Sequence, residues 1–237
     1  MDARVRAAPS LASRREALRG ATLFKVLTEP ELDAVLARAV NRRFDRNEVI
    51  LRRGDPGNSM MVVLQGQVRL AIESAEGQEV TIGVLGPGEV LGEMALLDGG
   101  TRSADAVGAS DGVLMVIPRD DFLPMLEHSA GLCLRLMQVL CGRLRQANAA
   151  TEEMATLSVA GRLGRVLLRL AENYGSRADG ELRLPLRLSQ KDLGTMIAAS
   201  REKVNRALRR WEEEGALKRE GGGWVIRDPE ALRQVKD

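Results

Sequence analysis

The feature that most constrains the fold is a set of regularly spaced glycines. Gly54, Gly66, Gly77 and Gly88 recur at intervals of 12, 11 and 11 residues. Between them lie the short apolar segments "EVILRRGD", "SMMVVLQGQVRLAIES" and "QEVTIGVLGPGE", with "ADAVGASDGVLMVIPRDDF" following. β-branched runs of this length, cut by Gly, Pro and Asp, read as strands. The even turn spacing suits successive antiparallel strands wound into one small barrel or jelly roll. Four unrelated turn glycines are the alternative, and the matching strand patterns between them favour the roll. The β pattern begins at about Phe44. Ahead of it, residues 11–40 read as short helices, with apolar spacing near 3.6 in "EPELDAVLARAV".

A long helix is expected over about 130–157. Leu134, Met137, Cys141, Leu144, Asn148, Thr151, Ala155 and Ser158 step by alternating threes and fours, the signature of a coiled-coil seam. A second stripe, Cys133, Leu136, Leu140, Met154 and Leu157, can face the roll. Two apolar faces suggest the protein body on one side and a second copy on the other. An ordinary buried helix is the alternative. The first seam is narrow and turns polar at Asn148 and Thr151, which points to a dimer.

The C-terminal stretch "LSQKDLGTMIAASREKVNRALRRWEEEGALKREGGGWVI" is the most informative. "QKDLGTMIA" reads as a short helix, "AS" as a tight turn, and "REKVNRALRRWEEEG" as a second helix ended by Gly215. Ser189 and Asp192 resemble a capping box at the first helix. This is a helix-turn-helix, followed by two short strands around a triple-glycine turn, a wing. Upstream, "RLGRVLLRLAENYG" reads as another helix, "SRADGE" as a loop, and "LRLPLRLS" as a short strand leading into the cap. At the head of the second helix, Arg201, Glu202 and Arg206 can share one face. An Arg can bind guanine O6 and N7, and a Glu can accept from cytosine N4. Lys203, Arg209 and Arg210 suit phosphate contact. A solvated face with a Glu202–Arg206 pair is the plainer alternative.

The chain has 237 residues, 44% of them apolar, enough for two modest packed domains. Residues 158–237 hold 17 Lys/Arg against 12 Asp/Glu, while residues 1–157 hold 18 against 21. A basic C-terminal third on an acidic body fits nucleic-acid binding. No apolar run is long enough to span a bilayer, and the Arg-rich N-terminus lacks the apolar core of a secretory signal, so a cytoplasmic location is expected. Cys133 and Cys141, with the single His128, cannot form a metal site at any usual spacing. No Ser/His/Asp or Cys/His catalytic set is visible, and no enzymatic role is expected.

"GEMALLDGGTRSA", residues 92–104, places an acid and a base around a short apolar segment. It resembles the phosphate-binding cassette of cyclic-nucleotide-binding domains, and "SREKVNR" resembles the Arg-Glu-x-x-x-Arg recognition helix of the cyclic AMP receptor protein/FNR family. The resemblance runs from about residue 22 to 227. It implies an α+β chain in four parts: an N-terminal tail (1–21), a β-roll cyclic-nucleotide-binding domain (22–129), a dimerisation helix (130–157) and a winged helix-turn-helix (158–237).

In the site so implied, Arg102 neutralises a cyclic phosphate and Ser103 donates to it. Glu93 accepts from the ribose 2′-hydroxyl. Gly92 lets the backbone approach, and the turn through Met94 and Ala95, with Ala104 on the far side, presents N–H groups to the anion. A surface ion pair between Glu93 and Arg102 is the plainer alternative. On the long helix, Arg143 falls near the purine. The family's Thr-Ser pair is replaced here by Ala147 and Asn148, and Asn148 can both donate and accept.

Cyclic AMP is the effector implied, with cyclic GMP, another nucleotide, or DNA binding without any nucleotide as alternatives. The dimer contacts are Leu134, Met137, Cys141, Leu144, Asn148, Thr151 and Ala155. The DNA contacts are Ser189, Gln190, Ser200, Arg201, Glu202, Lys203, Arg206 and Arg209, on double-stranded palindromic DNA with TGTGA-like half-sites. An RNA polymerase contact through a loop such as 172–181 is implied by the resemblance alone.

Overall fold

The computed structural model describes residues 10–73, 77, 79–178, 181–186 and 188–233. Among them, contacts group the residues up to 72 with 82–145 as one unit, and 73–81 with those from 146 onward as another.

The first unit opens with helices α1 (Leu11–Gly20) and α2 (Glu29–Arg38). The second of these starts at a capping box between Thr28 and Glu31. Strands β1 (Val40–Phe44), β2 (Val49–Leu51), β3 (Ser59–Gln65), β4 (Val68–Glu73), β5 (Glu79–Leu85) and β6 (Val90–Leu91) follow. Then come the short helix α3 (Glu93–Asp98), β7 (Asp105–Gly108), β8 (Gly112–Pro118), α4 (Arg119–His128) and the long α5 (Ala130–Thr156). Two four-stranded sheets result, in the orders β1-β8-β3-β6 and β2-β7-β4-β5, with β1, β8, β3 and β6 paired antiparallel in one and β2, β7 and β4 in the other. This is the expected roll. The four periodic glycines sit at its turns with φ of 89, 79, 74 and 85°, a region L-residues avoid.

Side-chain alternation along the central strands builds two cores. Met61 and Val63 of β3 and Leu114 of β8 point between the sheets, onto Phe44, Ile50, Val68, Leu85, Leu91 and Ala106. Met60, Val62, Val113, Met115 and Ile117 point the other way, where helices cover them through Leu18, Leu32, Val35, Phe122, Leu132 and Leu136. Phe24 and Phe122 meet edge to face, ring centroids 6.2 Å apart.

The β region starts four residues earlier than the sequence pattern suggested. "VNRRF" of β1 is an edge strand with charged, largely outward residues, so it lacks a continuous apolar run. The second stripe of α5 is also corrected. Leu132 and Leu136 are its buried residues, and the members packed on the core end at Leu140. Cys133 is half-buried, with its thiol donating to Leu126 O at 3.1 Å. Met154 is 50% exposed, Leu157 follows the last helical residue, and both group with the second unit.

The second unit contains α6 (Val159–Tyr174), β9 (Ser176–Ala178), β10 (Glu181–Leu184), α7 (Gln190–Met196), α8 (Arg201–Glu213), β11 (Leu217–Glu220), β12 (Gly223–Ile226) and α9 (Pro229–Arg233). Ser158, counted at the sequence level as the last seam residue, instead caps α6 by accepting from Gly161 N. The segment "SRADGE" is not wholly a loop: it opens as β9, a short edge strand with little apolar patterning, and its last residue starts β10, the strand expected from "LRLPLRLS"; Asp179 and Gly180 lie outside the described residues. The two wing strands join them in one sheet, order β11-β12-β10-β9.

Between α7 and α8 the chain turns through Ala198, a non-glycine with φ of 49°. A left-handed conformation costs an L-residue about 1–2 kcal/mol, and this exposed side chain buries nothing in return. Ala198→Gly should therefore stabilise the protein by up to about 1 kcal/mol after the extra backbone entropy of glycine is subtracted. Thermal denaturation of the full chain reads this as a rise in the midpoint of the transition that unfolds the C-terminal unit; a fall would contradict the assigned strain.

Candidate functional site

In the roll, the site is built around a buried cation. Arg102 is only 5% exposed. Its backbone is held on both sides by the preceding loop: its N–H donates to Asp55 O at 2.8 Å, and its carbonyl accepts from Gly54 N at 2.9 Å. Its Nη1 donates to two main-chain carbonyls, Ser59 O and Gly92 O, each at 2.8 Å, and its Nη2 donates to Ser59 Oγ at 3.2 Å. Among the described residues, Nε–H and the second Nη2–H have no acceptor. These two donors form one edge of the guanidinium, the geometry that takes two oxygens of a phosphate or carboxylate side-on. Burial lowers the Arg102 pKa from its ordinary value, and the Glu93 and Asp55 carboxylates oppose that shift. An arginine stays charged regardless.

Gly92 makes the approach possible. It is the N-cap of α3 at φ 77°, and a Cβ there would stand 2.4 Å from Arg102 Nη1. Glu93, the next residue, is fully buried. Its partner is Arg143 of α5, which pairs with Glu93 Oε1 through Nη1 and donates to Val90 O through Nη2. Glu93 Oε2 is buried with no hydrogen-bond partner among the described residues. A buried carboxylate oxygen without a donor is costly, so this atom is an acceptor awaiting a partner. The plainer surface-pair alternative is overturned: Glu93 and Arg102 are both buried, and Glu93 pairs with a different arginine.

Beside Arg102 lies a cavity of about 360 Å³ lined by Val49, Ile50, Leu51, Arg52, Asp55, Pro56, Asn58, Ser59 and Arg102. Ala95 is buried, its Cβ 2.2 Å from where a Cβ on Gly57 would be. Ala104 is buried at 8% exposure. Met94 is exposed, with its sulfur accepting from Ser103 Oγ at 3.6 Å. Sequence reasoning missed Ser59, Gly57, Arg52 and Asp55. The only signal was the turn-rich "RRGDPGNS", which reads as a connection between strands.

In the C-terminal unit, α7 and α8 form the expected helix-turn-helix. Ser189 and Asp192 close a capping box: Ser189 Oγ accepts from Asp192 N at 3.1 Å, and the Asp192 carboxylate accepts from Ser189 N at 2.8 Å. Gln190 Nε2 donates to Asn205 Oδ1 at 2.9 Å, and Arg201 Nε donates to Gln190 Oε1 at 3.3 Å, fixing the start of one helix to the other. Ser200 caps α8 by accepting from Lys203 N. Val204, Ala207, Leu208 and Trp211 form its buried face, while Arg201, Glu202, Lys203, Arg206 and Arg209 are exposed. Among the described residues, Glu202 and Arg206 form no ion pair; the pair on this helix is Arg210–Glu214 at 2.9 Å. The recognition-type face is thus free to meet an external partner. In the wing, Gly221 and Gly222 turn the chain, and Arg219 lies over the Trp224 ring at 5.3 Å.

Two family models match the chain: the cyclic nucleotide-binding domain at residues 41–129 and the Crp-like helix-turn-helix domain at residues 161–235. The cyclic AMP receptor protein of Thermus thermophilus is 31% identical over 92% of this chain and 98% of its own length. The chain belongs to the CRP/FNR family of transcription regulators. The CRP-like cAMP-activated global transcriptional regulator of Mycobacterium tuberculosis is 28% identical over 86% of this chain and 92% of its own. The solved structure of the c-di-GMP responsive global regulator CLP of Xanthomonas campestris is 25% identical, with a TM-score of 0.70 over 84% of this chain and 99% of that one. As a CRP-family protein, this chain is a DNA-binding transcription regulator with a cyclic-nucleotide-binding domain, not an enzyme.

Against that family frame, Gly92, Glu93, Ala95, Arg102 and Arg143 come together in the roll, with Ala104 buried nearby in sequence. Ala147 and Asn148, expected from the sequence to meet the base, lie exposed on α5, in the stretch that groups with the second unit. The seam residues Leu134, Met137, Cys141, Leu144, Thr151 and Ala155 are exposed as well; Leu134, Met137 and Leu144 are 55, 54 and 62% accessible. Among the described residues, no helix is long and apolar enough to cross a membrane.

Both ends of α3 test the geometry. Gly92→Ala should cost about 2 kcal/mol or more, because backbone strain adds to displacement of Arg102. Gly99→Ala, at φ 71° with Arg119 Nη2 the nearest atom at 3.8 Å, carries the strain alone, about 1 kcal/mol. Urea denaturation should rank them in that order; equal losses would show that the Arg102 approach contributes nothing.

Proposed function

We propose that the roll binds a cyclic nucleotide, cyclic AMP first, and that this binding switches the DNA affinity of a homodimeric cytoplasmic regulator. The buried, unpartnered Glu93 Oε2 close in sequence to the anchored Arg102 carries the reading. A cyclic nucleotide offers the complement to both: two exocyclic phosphate oxygens for the free edge of Arg102, and a ribose 2′-hydroxyl for Glu93. Ser103 adds a hydroxyl to the phosphate, and the N–H groups of residues 93–95 face the same anion.

The parts divide accordingly. Residues 22–129 sense the ligand, and 130–157 form the dimer seam through Leu134, Met137, Cys141, Leu144, Asn148, Thr151 and Ala155. Residues 158–237 grip DNA. The exposure of three large apolar seam residues supports a partner helix there, since an exposed apolar patch of this kind calls for cover. Arg201, Glu202 and Arg206 read base edges in the major groove, while Ser189, Gln190, Ser200, Lys203 and Arg209 hold the backbone. A dimer placing two such helices about 34 Å apart reads a palindrome, here with TGTGA-like half-sites. The segment over 172–181 is the proposed RNA polymerase contact.

A second reading concerns the base. Ala147 and Asn148 stand where the family's cyclic-AMP binders carry Thr and Ser, so cyclic GMP or another nucleotide is the alternative effector, and one relative is named for its response to c-di-GMP. Titration of the full chain with cyclic AMP and cyclic GMP, with and without labelled palindromic DNA, tests both. Cyclic AMP should raise DNA affinity at least about tenfold, the lower end of usual allosteric coupling. Arg102→Ala should abolish nucleotide binding in calorimetry while DNA affinity without ligand is retained. Equal DNA affinity with and without either nucleotide would overturn the switch.

A further inference from the structure

Arg102 is not the only guanidinium at the cavity. Arg52 also lines it, directly after β2, at a turn fixed by Asp55 N donating to Arg52 O at 3.3 Å. Its side chain is exposed and, among the described residues, has no hydrogen-bond or ion-pair partner. The charges around the cavity do not cancel. Among its lining residues two guanidiniums, Arg52 and Arg102, stand against one carboxylate, Asp55, and Arg52 supplies the excess positive charge.

We infer that Arg52 is a second anion contact, closing on the ligand phosphate across the cavity that it lines together with Arg102. This rests on the cyclic-nucleotide reading of the roll and sharpens its ligand class. The single uncompensated charge matches one phosphodiester, a monoanion, so that pocket and ligand together are neutral. A dianionic phosphomonoester overshoots that balance. Arg102 is inaccessible except at one edge, so it orients the phosphate. Arg52 carries a long exposed side chain, and it covers the phosphate after entry.

The neighbouring Arg53 is the control. It is equally exposed, carries the same charge one residue away, and is not part of the cavity lining; its N–H donates to Asp105 Oδ1 at 2.7 Å. Calorimetric titration of the full-length protein with cyclic AMP, then with cyclic GMP, compares wild type with Arg52→Gln and Arg53→Gln. A direct contact predicts that Arg52→Gln weakens both nucleotides by about tenfold, as for a lost charge-assisted hydrogen bond. Arg53→Gln should stay within about twofold, as expected for a screened surface charge, and the melting temperatures of all three proteins should agree. An Arg52→Gln affinity within twofold of wild type overturns the inference. So does an equal loss in both variants, which would mean a general field rather than a contact. If wild type itself binds neither nucleotide, the cyclic-nucleotide reading fails and this one falls with it, a result distinct from the other two.

Discussion

The roll depends on keeping one guanidinium out of water. Removing a charge from solvent costs several kcal/mol unless its donors find acceptors, and Arg102 finds three: the carbonyls of Ser59 and Gly92 and the Ser59 hydroxyl. Much of the local structure follows. The carbonyl of Gly92 reaches Arg102 only from a left-handed cap, where a side chain would collide. The loop over 54–57 must lie flat enough to hold the Arg102 backbone at Gly54 and Asp55 and to pass Ala95 at Gly57. Arg119 accepts the same logic from the other end of α3, where its Nε donates to Leu96 O at 2.7 Å. These contacts leave α3 few alternatives, and they leave the two remaining donors of Arg102 aimed where no protein atom receives them.

A fixed cation of this kind makes a rigid half-site, and the adjustable half is the tie from α5. Arg143 reaches the roll by bonding Glu93 and Val90 O. The same helix buries Leu132 and Leu136 in the helix-covered core and turns Leu134, Met137, Cys141 and Leu144 outward. In the proposed reading, a ligand hydroxyl on Glu93 Oε2 changes the balance of donors on the carboxylate that Arg143 holds. That makes the ion pair the place where ligand and seam meet energetically. A ligand shifts a conformational balance only through its differential affinity for the two arrangements, and a buried carboxylate that is half-satisfied without ligand provides such a difference. A site with every group already paired would bind more weakly and switch nothing.

The glycines at the roll turns were legible because a positive φ leaves a mark on the sequence, and all four adopt it. The long helix was legible within a residue at either end, and the two helices of the helix-turn-helix within two, together with the Ser189–Asp192 box, since periodicity and capping are local properties. The anchors of Arg102 were not, because two of the three are main-chain carbonyls, which any residue carries. Arg143 was suggested by family position, but its pairing with Glu93 joins residues 50 positions apart, beyond what spacing can reach. The early start of β1 and the strand β9 at the head of "SRADGE" were missed for a third reason. Edge strands carry charge and little apolar alternation, so their sequences resemble loops. The choice between Leu132 and Cys133 on α5 turned on one residue of helix phase, about 100° of rotation, too fine for a stripe that also has to serve a second face.

The two ends of the proposed pocket are held to different degrees, and that bears on how effector identity is set. The phosphate–ribose end centres on buried Glu93 and Arg102, whose partners are Arg143, main-chain carbonyls and the Ser59 hydroxyl, so changing Glu93, Arg102 or Gly92 strands a buried group or forces a collision. The base end rests on Ala147 and Asn148, exposed positions of a helix, where substitutions usually alter stability by no more than about 0.5 kcal/mol. A fold arranged this way can exchange one base preference for another without repacking. Its demand for a single phosphate charge and a neighbouring hydroxyl stays fixed. The departure from Thr-Ser on this helix therefore falls where the architecture resists change least, and the proposed sugar-phosphate contacts lie where it resists most.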